Sequence, residues 1–84
     1  MLVDISQKRI DEEKLITEVQ GFEVVHGQTA YLFMNKETFE ALIDCYGGEL
    51  YFHPAESTSG VVSYYTGRRV YEDERLNFGQ VEIR

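Results

Sequence analysis

The sequence predicts an α+β fold, in which a twisted antiparallel sheet of five or six strands packs against an amphipathic helix at residues 35–46 and a second helix near the N-terminus. In residues 36–46 the apolar side chains recur at the spacing of one helical face, with Asn35 before them and Gly47-Gly48 after them. Short runs of β-branched and aromatic residues lie on both sides of this helix. The 84 residues contain one proline and no low-complexity run, so we expect residues 1–84 to form a single domain.

Near the N-terminus, Asp4 and Gln7 have the spacing of a capping box, which predicts that a helix begins there. The apolar residues that follow would share one side of this helix, which would end before Gly21. Residues 14–20 also alternate between apolar and polar positions, so the sequence leaves them open between helix and strand.

Residues 22–26 and 29–34 are predicted to form a β-hairpin, because both are rich in strand-forming residues and Gly27-Gln28 stands between them. The second of these strands is apolar at both alternating positions. We therefore expect it to lie in the middle of the sheet, covered on both faces or placed at an interface.

Beyond the amphipathic helix the pattern predicts an antiparallel meander. Its strands are residues 49–53, 61–66, 69–72 and 80–84, with a stop at Pro54, an exposed loop at residues 55–60, a turn at Gly67 and a charged corner that closes at residues 77–79.

The last two strands have a regular alternation of apolar and polar residues. We expect Val70, Val81 and Ile83 to face the core, together with Leu76 and Phe78 from the corner. The residues expected on the outward face are Arg69, Tyr71, Gln80, Glu82 and Arg84.

The formal net charge is −7, from 15 acidic and 8 basic residues, which disfavours direct binding to nucleic acid. The acidic surface could serve solubility, or it could attract a basic partner such as a nucleic-acid enzyme. Cys45 is the only cysteine, so no internal disulfide forms and a reducing, cytoplasmic location is expected. No signal peptide or membrane span is predicted, because no apolar run is long enough.

No set of residues has the pattern of a catalytic or metal centre. His26 and His53 fall in separate predicted strands, and the acidic runs 11–13 and 72–74 lack the glycine and ligand spacing of a calcium loop. Cys45 adjoins the apolar stripe of a helix, where cysteine behaves as a small hydrophobic residue. The sequence therefore predicts a protein that is not an enzyme and has no cofactor.

Tyrosine is the clearest compositional excess, with six residues and no tryptophan. Tyrosine and arginine are enriched at binding hot spots, so a tyrosine and arginine surface is the first candidate for partner binding. Alternatively, the rings only cover sheet edges in a small domain. We expect Arg69, Tyr71 and one of Tyr64 and Tyr65 to line the outer face, with Tyr51 as a neighbour. The candidate contact residues are Tyr64, Tyr65, Arg68, Arg69, Tyr71, Glu72, Asp73, Glu74 and Arg75.

The C-terminal quarter has a Y-x-G-x-x-V strand, acidic residues, an L-x-F-G corner and a short final strand. The residues in this order are Tyr65, Gly67, Val70, Asp73, Leu76, Phe78, Gly79, Val81 and Ile83. The order resembles the endings of small uncharacterised proteins encoded by bacteriophages and prophages, although Asn77 stands where such endings commonly have proline. The resemblance implies a phage origin and binding to a host or virion protein, and it transfers no catalytic residue.

Together these features predict a small acidic protein-binding module that sequesters or inhibits a host protein, of the anti-defence or anti-CRISPR type. Its acidic surface could imitate nucleic acid toward a basic enzyme of the host. The alternative is a homo-oligomeric phage accessory or virion component, with a homodimer as its simplest form.

Overall fold

The computed structural model describes residues 1–6, 10–46, 52–54 and 61–84. Its elements in chain order are β1 Leu2–Asp4, α1 Glu12–His26, β2 Leu32–Met34, α2 Lys36–Tyr46, β3 Phe52–Pro54, β4 Val61–Tyr65, β5 Arg68–Glu72 and β6 Gln80–Ile83. The predicted strand residues 49–51 and the predicted loop at 55–60 lie outside the described residues.

The described strands form one six-stranded sheet in the order β1-β6-β2-β5-β4-β3, which confirms the predicted α+β class. Four neighbouring pairs within it are antiparallel, and β2 runs parallel to β5. Of the predicted meander, β3, β4 and β5 are confirmed. The placement of the last strand beside β5 is wrong, because β6 pairs with β1 and β2 instead.

The corner at residues 73–79 explains this strand order. The Asp73 amide donates to the Met34 carbonyl at 2.8 Å, and the Asn35 side chain donates to the Leu76 carbonyl at 3.2 Å. The corner is thus fixed to the junction of β2 and α2, and it carries the chain across the end of β2. Strand β6 therefore begins on the opposite side of β2 from β5.

Helix α1 begins later and ends later than predicted. Asp11 is its N-cap, accepting from the Lys14 amide at 3.0 Å, and Gly27 is its C-cap at a φ of 65°. The helix start predicted from a capping box at Asp4 is wrong. Asp4 belongs to β1, and its carboxylate accepts hydrogen bonds from the amide and the hydroxyl of Ser6.

Residues 14–26 are helical, so the predicted hairpin of residues 22–26 with 29–34 is also wrong. Leu15 and Val19 are fully buried on one side of α1, and Ile16 and Phe22 pack against the same core. This helical spacing decides the outcome, because burying one apolar face outweighs the modest strand preference of residues 22–26.

Helix α2 is confirmed together with its cap. The side-chain oxygen of Asn35 accepts from the Thr38 amide at 2.8 Å and from the Thr38 hydroxyl at 2.7 Å. Leu42 is fully buried, while Phe39 and Ile43 are partly buried against the core. In the described part of the chain, neither helix has the length and apolar character needed to cross a membrane.

The core lies between the helices and one face of the sheet. As predicted, Val70, Val81 and Ile83 are fully buried, whereas the corner residue Phe78 is 47% exposed and does not anchor the core. The middle position of β2 is confirmed, with Leu32 and Met34 facing the core. Among the described residues, no helix covers the second face of the sheet.

Candidate functional site

The candidate site is the sheet face turned away from the helices. Side chains alternate along a strand, so each strand that sends one residue into the core sends its neighbour to this second face. We call this surface the open face; its described members are Leu2, Asp4, Tyr31, Phe33, Tyr64, Arg69, Tyr71, Gln80, Glu82 and Arg84.

Tyrosine and arginine alternate across four neighbouring strands of the open face. Tyr31 and Arg84 exchange two backbone hydrogen bonds of 2.7 and 2.9 Å, and Tyr64 pairs with Arg69. Tyr31 lies beside Arg69, because the residues that follow them, Leu32 and Val70, are partners. We call the resulting line of Arg84, Tyr31, Arg69 and Tyr64 the Arg–Tyr row.

A second group of rings lies next to this row. The guanidinium carbon of Arg84 lies 4.4 Å from the centre of the Phe33 ring, and Phe33 stacks on Tyr71 at 5.0 Å with an interplanar angle of 15°. Arg84 and Tyr71 come from strands on opposite sides of β2, so the Phe33 ring has a neighbour from each side. Tyr31 adds a tilted contact to Tyr71 at 6.3 Å. These mutual contacts hold the side chains in defined positions.

The arginines of the described residues differ in how their charge is balanced. Arg84 lies 3.6 Å from a Glu82 oxygen, and Arg68 and Arg75 have shorter contacts with carboxylates. Arg69 is exposed and has no described carboxylate within 4.0 Å. A hydrogen bond to the Tyr71 hydroxyl, followed by the nearby Tyr31 and Tyr64, raises the pKa of Arg69. Arg69 is therefore a cation surrounded by phenol groups.

Three of the predicted contact residues, Tyr64, Arg69 and Tyr71, lie on the open face as expected from their alternation. Tyr65 does not, because it is fully buried and its hydroxyl donates to the buried carboxylate of Glu12. Tyr51 lies outside the described residues.

Arg68 also lies away from the open face. It forms two hydrogen bonds to the Glu23 carboxylate, from Nε at 2.9 Å and from Nη2 at 2.6 Å, and this contact lowers the pKa of Glu23. Both side chains are largely buried, with 15% and 19% exposure. Arg68 therefore links β5 to α1, and its prediction as a contact residue is not supported by its position.

The charged corner forms its own local contacts. Arg75 holds both oxygens of Asp73, at 3.0 and 2.9 Å, and lowers its pKa, while a Glu74 oxygen lies 3.4 Å from the Lys36 amide nitrogen. Glu72 is exposed at the end of β5 and has the same alternation as Val70, so it does not belong to the open face. The corner residues thus contact mainly one another, and the charge of Arg84 on the open face also contributes to the lowered pKa of Asp73.

Sequence reasoning missed Tyr31 and Phe33 as site residues. It placed Glu82 and Arg84 on the outward face with Tyr71 but did not include them among the contact residues. The signal was present in β2, where the aromatic residues Tyr31 and Phe33 alternate with the buried Leu32 and Met34. It could not be used without the strand order, because β2 is far from β5 and β6 in the sequence and lies between them in the sheet.

The described residues contain no group of three histidine, cysteine or acidic side chains placed to hold a metal ion. His26, predicted in a strand, lies at the end of α1, where its ring stacks on Phe22 at 4.0 Å. In the acidic run 11–13, Asp11 caps the helix and Glu12 accepts from Tyr65. These contacts give each of the three side chains a role within the fold.

The fold and the open face define a small α+β protein with a sheet surface of tyrosine and arginine that no described helix covers. No protein-family model matches the chain, and no curated protein or solved structure matches it significantly. The chemistry of the open face is therefore the basis for a proposed function.

Proposed function

We propose that this protein is a non-enzymatic binding module that contacts a protein partner through its open face. The Arg–Tyr row carries this proposal. Tyrosine and arginine are the residue types that most often dominate binding energy at protein interfaces, and here they stand on adjacent strands rather than on a mobile loop. Tyr31 and Tyr64 remain 42% and 36% exposed, so a partner could bury further area on both.

The ring contacts favour a protein over single-stranded nucleic acid as the partner. Bases bind such surfaces by stacking on free ring faces, but the Phe33 ring already stacks on Tyr71 and contacts the Arg84 guanidinium. The net charge of −7 also opposes the approach of a phosphate backbone. A protein can instead use the ring edges, the hydroxyls and the guanidinium groups.

For the partner, we propose a cytoplasmic host protein that is sequestered or inhibited, with a basic nucleic-acid enzyme as the leading class. The acidic composition supports this proposal, because exposed acids such as Glu37, Glu40 and Asp44 lie on α2, away from the open face. They would strengthen attraction to a basic partner at long range and make it sensitive to salt. The resemblance to phage proteins at the C-terminus supports a host target.

The test is capture from a bacterial host lysate by the full chain and by two double variants. Tyr31→Ser with Tyr64→Ser removes two exposed rings of the open face and leaves Arg69 in place. Val24→Ser with Val25→Ser is the control, since it changes an apolar pair near the end of α1 that is even more exposed than the two tyrosines. We expect the first variant to lose at least about tenfold in affinity, as for loss of a hot spot. Equal capture by both variants would contradict the proposal.

A second candidate function, self-assembly as a phage accessory or virion component, is favoured by the order of the Arg–Tyr row. When two open faces meet about a two-fold axis that runs along the strands between Tyr31 and Arg69, the row is reversed in the second copy. Arg69 then faces Tyr31 of the second copy, and Arg84 faces Tyr64. Each cation thus faces a ring of the second copy. The contacts are reciprocal, as an isologous interface requires. Light scattering on the purified protein separates this candidate from the first.

A further inference from the structure

Arg69 has a local environment that differs from that of the other described arginines. Arg68, Arg75 and Arg84 each have a carboxylate of their own chain within 4.0 Å, whereas no carboxylate of the described residues lies that close to Arg69. The backbone on both sides of Arg69 is fixed in the sheet, since Tyr64 pairs with it from β4 and Val70 pairs with Leu32 of β2. The backbone that carries this guanidinium is therefore fixed, and no carboxylate of the described residues pairs with it.

The groups around Arg69 are suited to an anion. Tyr31 and Tyr64 flank it in the Arg–Tyr row, and Tyr71 is two residues further along β5 on the same face. Each tyrosine hydroxyl has a hydrogen to donate. A planar guanidinium with neighbouring phenol donors matches the two oxygens of a carboxylate, for which arginine forms paired hydrogen bonds.

The charge balance favours a carboxylate over a phosphate. One guanidinium neutralises one negative charge, whereas a phosphate group carries close to two. The nearest second cation in the row, Arg84, already lies beside Glu82. A protein with a net charge of −7 repels a dianion more strongly than a monoanion.

We propose that Arg69, with Tyr31, Tyr64 and Tyr71, is a receptor for an aspartate or glutamate side chain of the protein partner. This inference rests on the proposed function, because it names the group on the partner that the open face recognises. The partner would therefore combine a basic surface, attracted by the acidic helices, with an acidic side chain that binds Arg69.

The test is an NMR titration of the isotope-labelled full chain, read at the Arg69 Nε–Hε signal and at the tyrosine rings. The probes are two six-residue peptides, one that alternates glutamate with threonine and one that alternates glutamine with threonine, at low salt. We expect the glutamate peptide to shift these signals with a dissociation constant of about 1 mM or lower, and the glutamine peptide to bind at least about tenfold more weakly. Equal shifts from both peptides, or no saturation up to about 10 mM, would overturn the proposal.

Two variants and one ion complete the experiment. Arg69→Gln should abolish the shift at the tyrosines, and Arg75→Gln, which changes an exposed arginine on the corner at residues 73–79, should preserve it. If Arg75→Gln has as large an effect as Arg69→Gln, the attraction is general and the receptor is excluded. Sodium sulfate is the free-anion probe, and sulfate binding as tight as that of the glutamate peptide would mean an adventitious ion only and would also overturn the proposal.

The lysate assay distinguishes failure of this inference from failure of the proposed function. If Arg69→Gln keeps a partner that the Tyr31→Ser and Tyr64→Ser variant loses, the carboxylate receptor is wrong and binding through the open face still holds. If neither change weakens capture, the proposed function itself is wrong.

Discussion

The Arg68 guanidinium grips the Glu23 carboxylate through two hydrogen bonds of 2.9 and 2.6 Å, and it thereby joins the start of β5 to the last part of α1. Glu23 also accepts from the Ala30 amide at 2.7 Å, so the same carboxylate fixes the connection that leads into β2. Arg69, the next residue, points to the other face of the sheet. Arg68 thus stabilises the fold, whereas Arg69 is exposed on the open face.

Replacing Arg68 by glutamine should destabilise the protein by about 1 to 3 kcal/mol, because the largely buried Glu23 carboxylate loses its charged partner. Chemical denaturation monitored by circular dichroism measures this change. Arg75→Gln is the control: the Arg75 side chain is 83% exposed, and Asp73, although only 12% exposed, keeps its hydrogen bond from the Arg75 amide, so we expect a smaller change there. Equal effects of the two substitutions would contradict the structural role of Arg68.

The stabilising effect of Glu23 should depend on pH in the acid range. Its pKa in the folded protein is lowered from the ordinary value of 4.5, chiefly by the hydrogen bond from Arg68. A lowered pKa means that this stabilisation is complete above the ordinary value and is lost as the pH falls through the folded value. The free energy of unfolding, measured from neutral pH downward, should therefore fall more steeply for the wild type than for Glu23→Gln. If the free energy of unfolding fell in parallel with pH for the two proteins, ionisation of Glu23 would not contribute to stability.

Gly79→Ala should destabilise the protein by about 2 kcal/mol or more, because two costs combine. Gly79 has a φ of 85°, and an added Cβ would overlap the side chain of Ser6.

Gly21→Ala is the opposite case: Gly21 lies within α1 with open space around it, so alanine should stabilise the protein by about 0.5 to 1 kcal/mol. Thermal or urea unfolding checks both values, and destabilisation by Gly21→Ala would argue against the extent of α1.

Self-assembly through the Arg–Tyr row predicts an unusual pair of results. Tyr31→Arg should weaken self-association at least about tenfold, because the new arginine would face Arg69 of the second copy. Combining it with Arg69→Tyr exchanges the two side chains and again places a ring opposite each cation, so association should return. Sedimentation equilibrium over a range of protein concentrations measures both. A monomeric wild type, or a double variant no better than Tyr31→Arg, would exclude this two-fold arrangement.

Local patterns in the sequence were sufficient for some elements. Asn35 and the apolar spacing of α2 predict that helix correctly, because the cap and the buried stripe act within a few residues of each other. Gly67, at a φ of 84°, forms the turn between β4 and β5 where the sequence placed it. Simple alternation then placed Arg69 and Tyr71 correctly on the outer face, and it left open which of Tyr64 and Tyr65 joins them, which the structure shows to be Tyr64.

Other elements depended on contacts between distant parts of the chain. Residues 22–26 have strand-forming side chains, yet they continue α1 because Leu15, Val19 and Phe22 pack on one side of a helix. That the partner is a phage or host protein remains a prediction, because neither a local sequence pattern nor the fold identifies a partner.

The sequence by itself determined which residues of β5 and β6 face outward, because alternation is a property of a single strand. Only the tertiary structure decided that β2 lies between them. The corner at residues 73–79 is bonded to the end of β2, and the chain must therefore cross it before β6 begins. That crossing brings Tyr31 and Phe33 between Arg69 and Arg84, and it creates the continuous surface on which the proposed function rests.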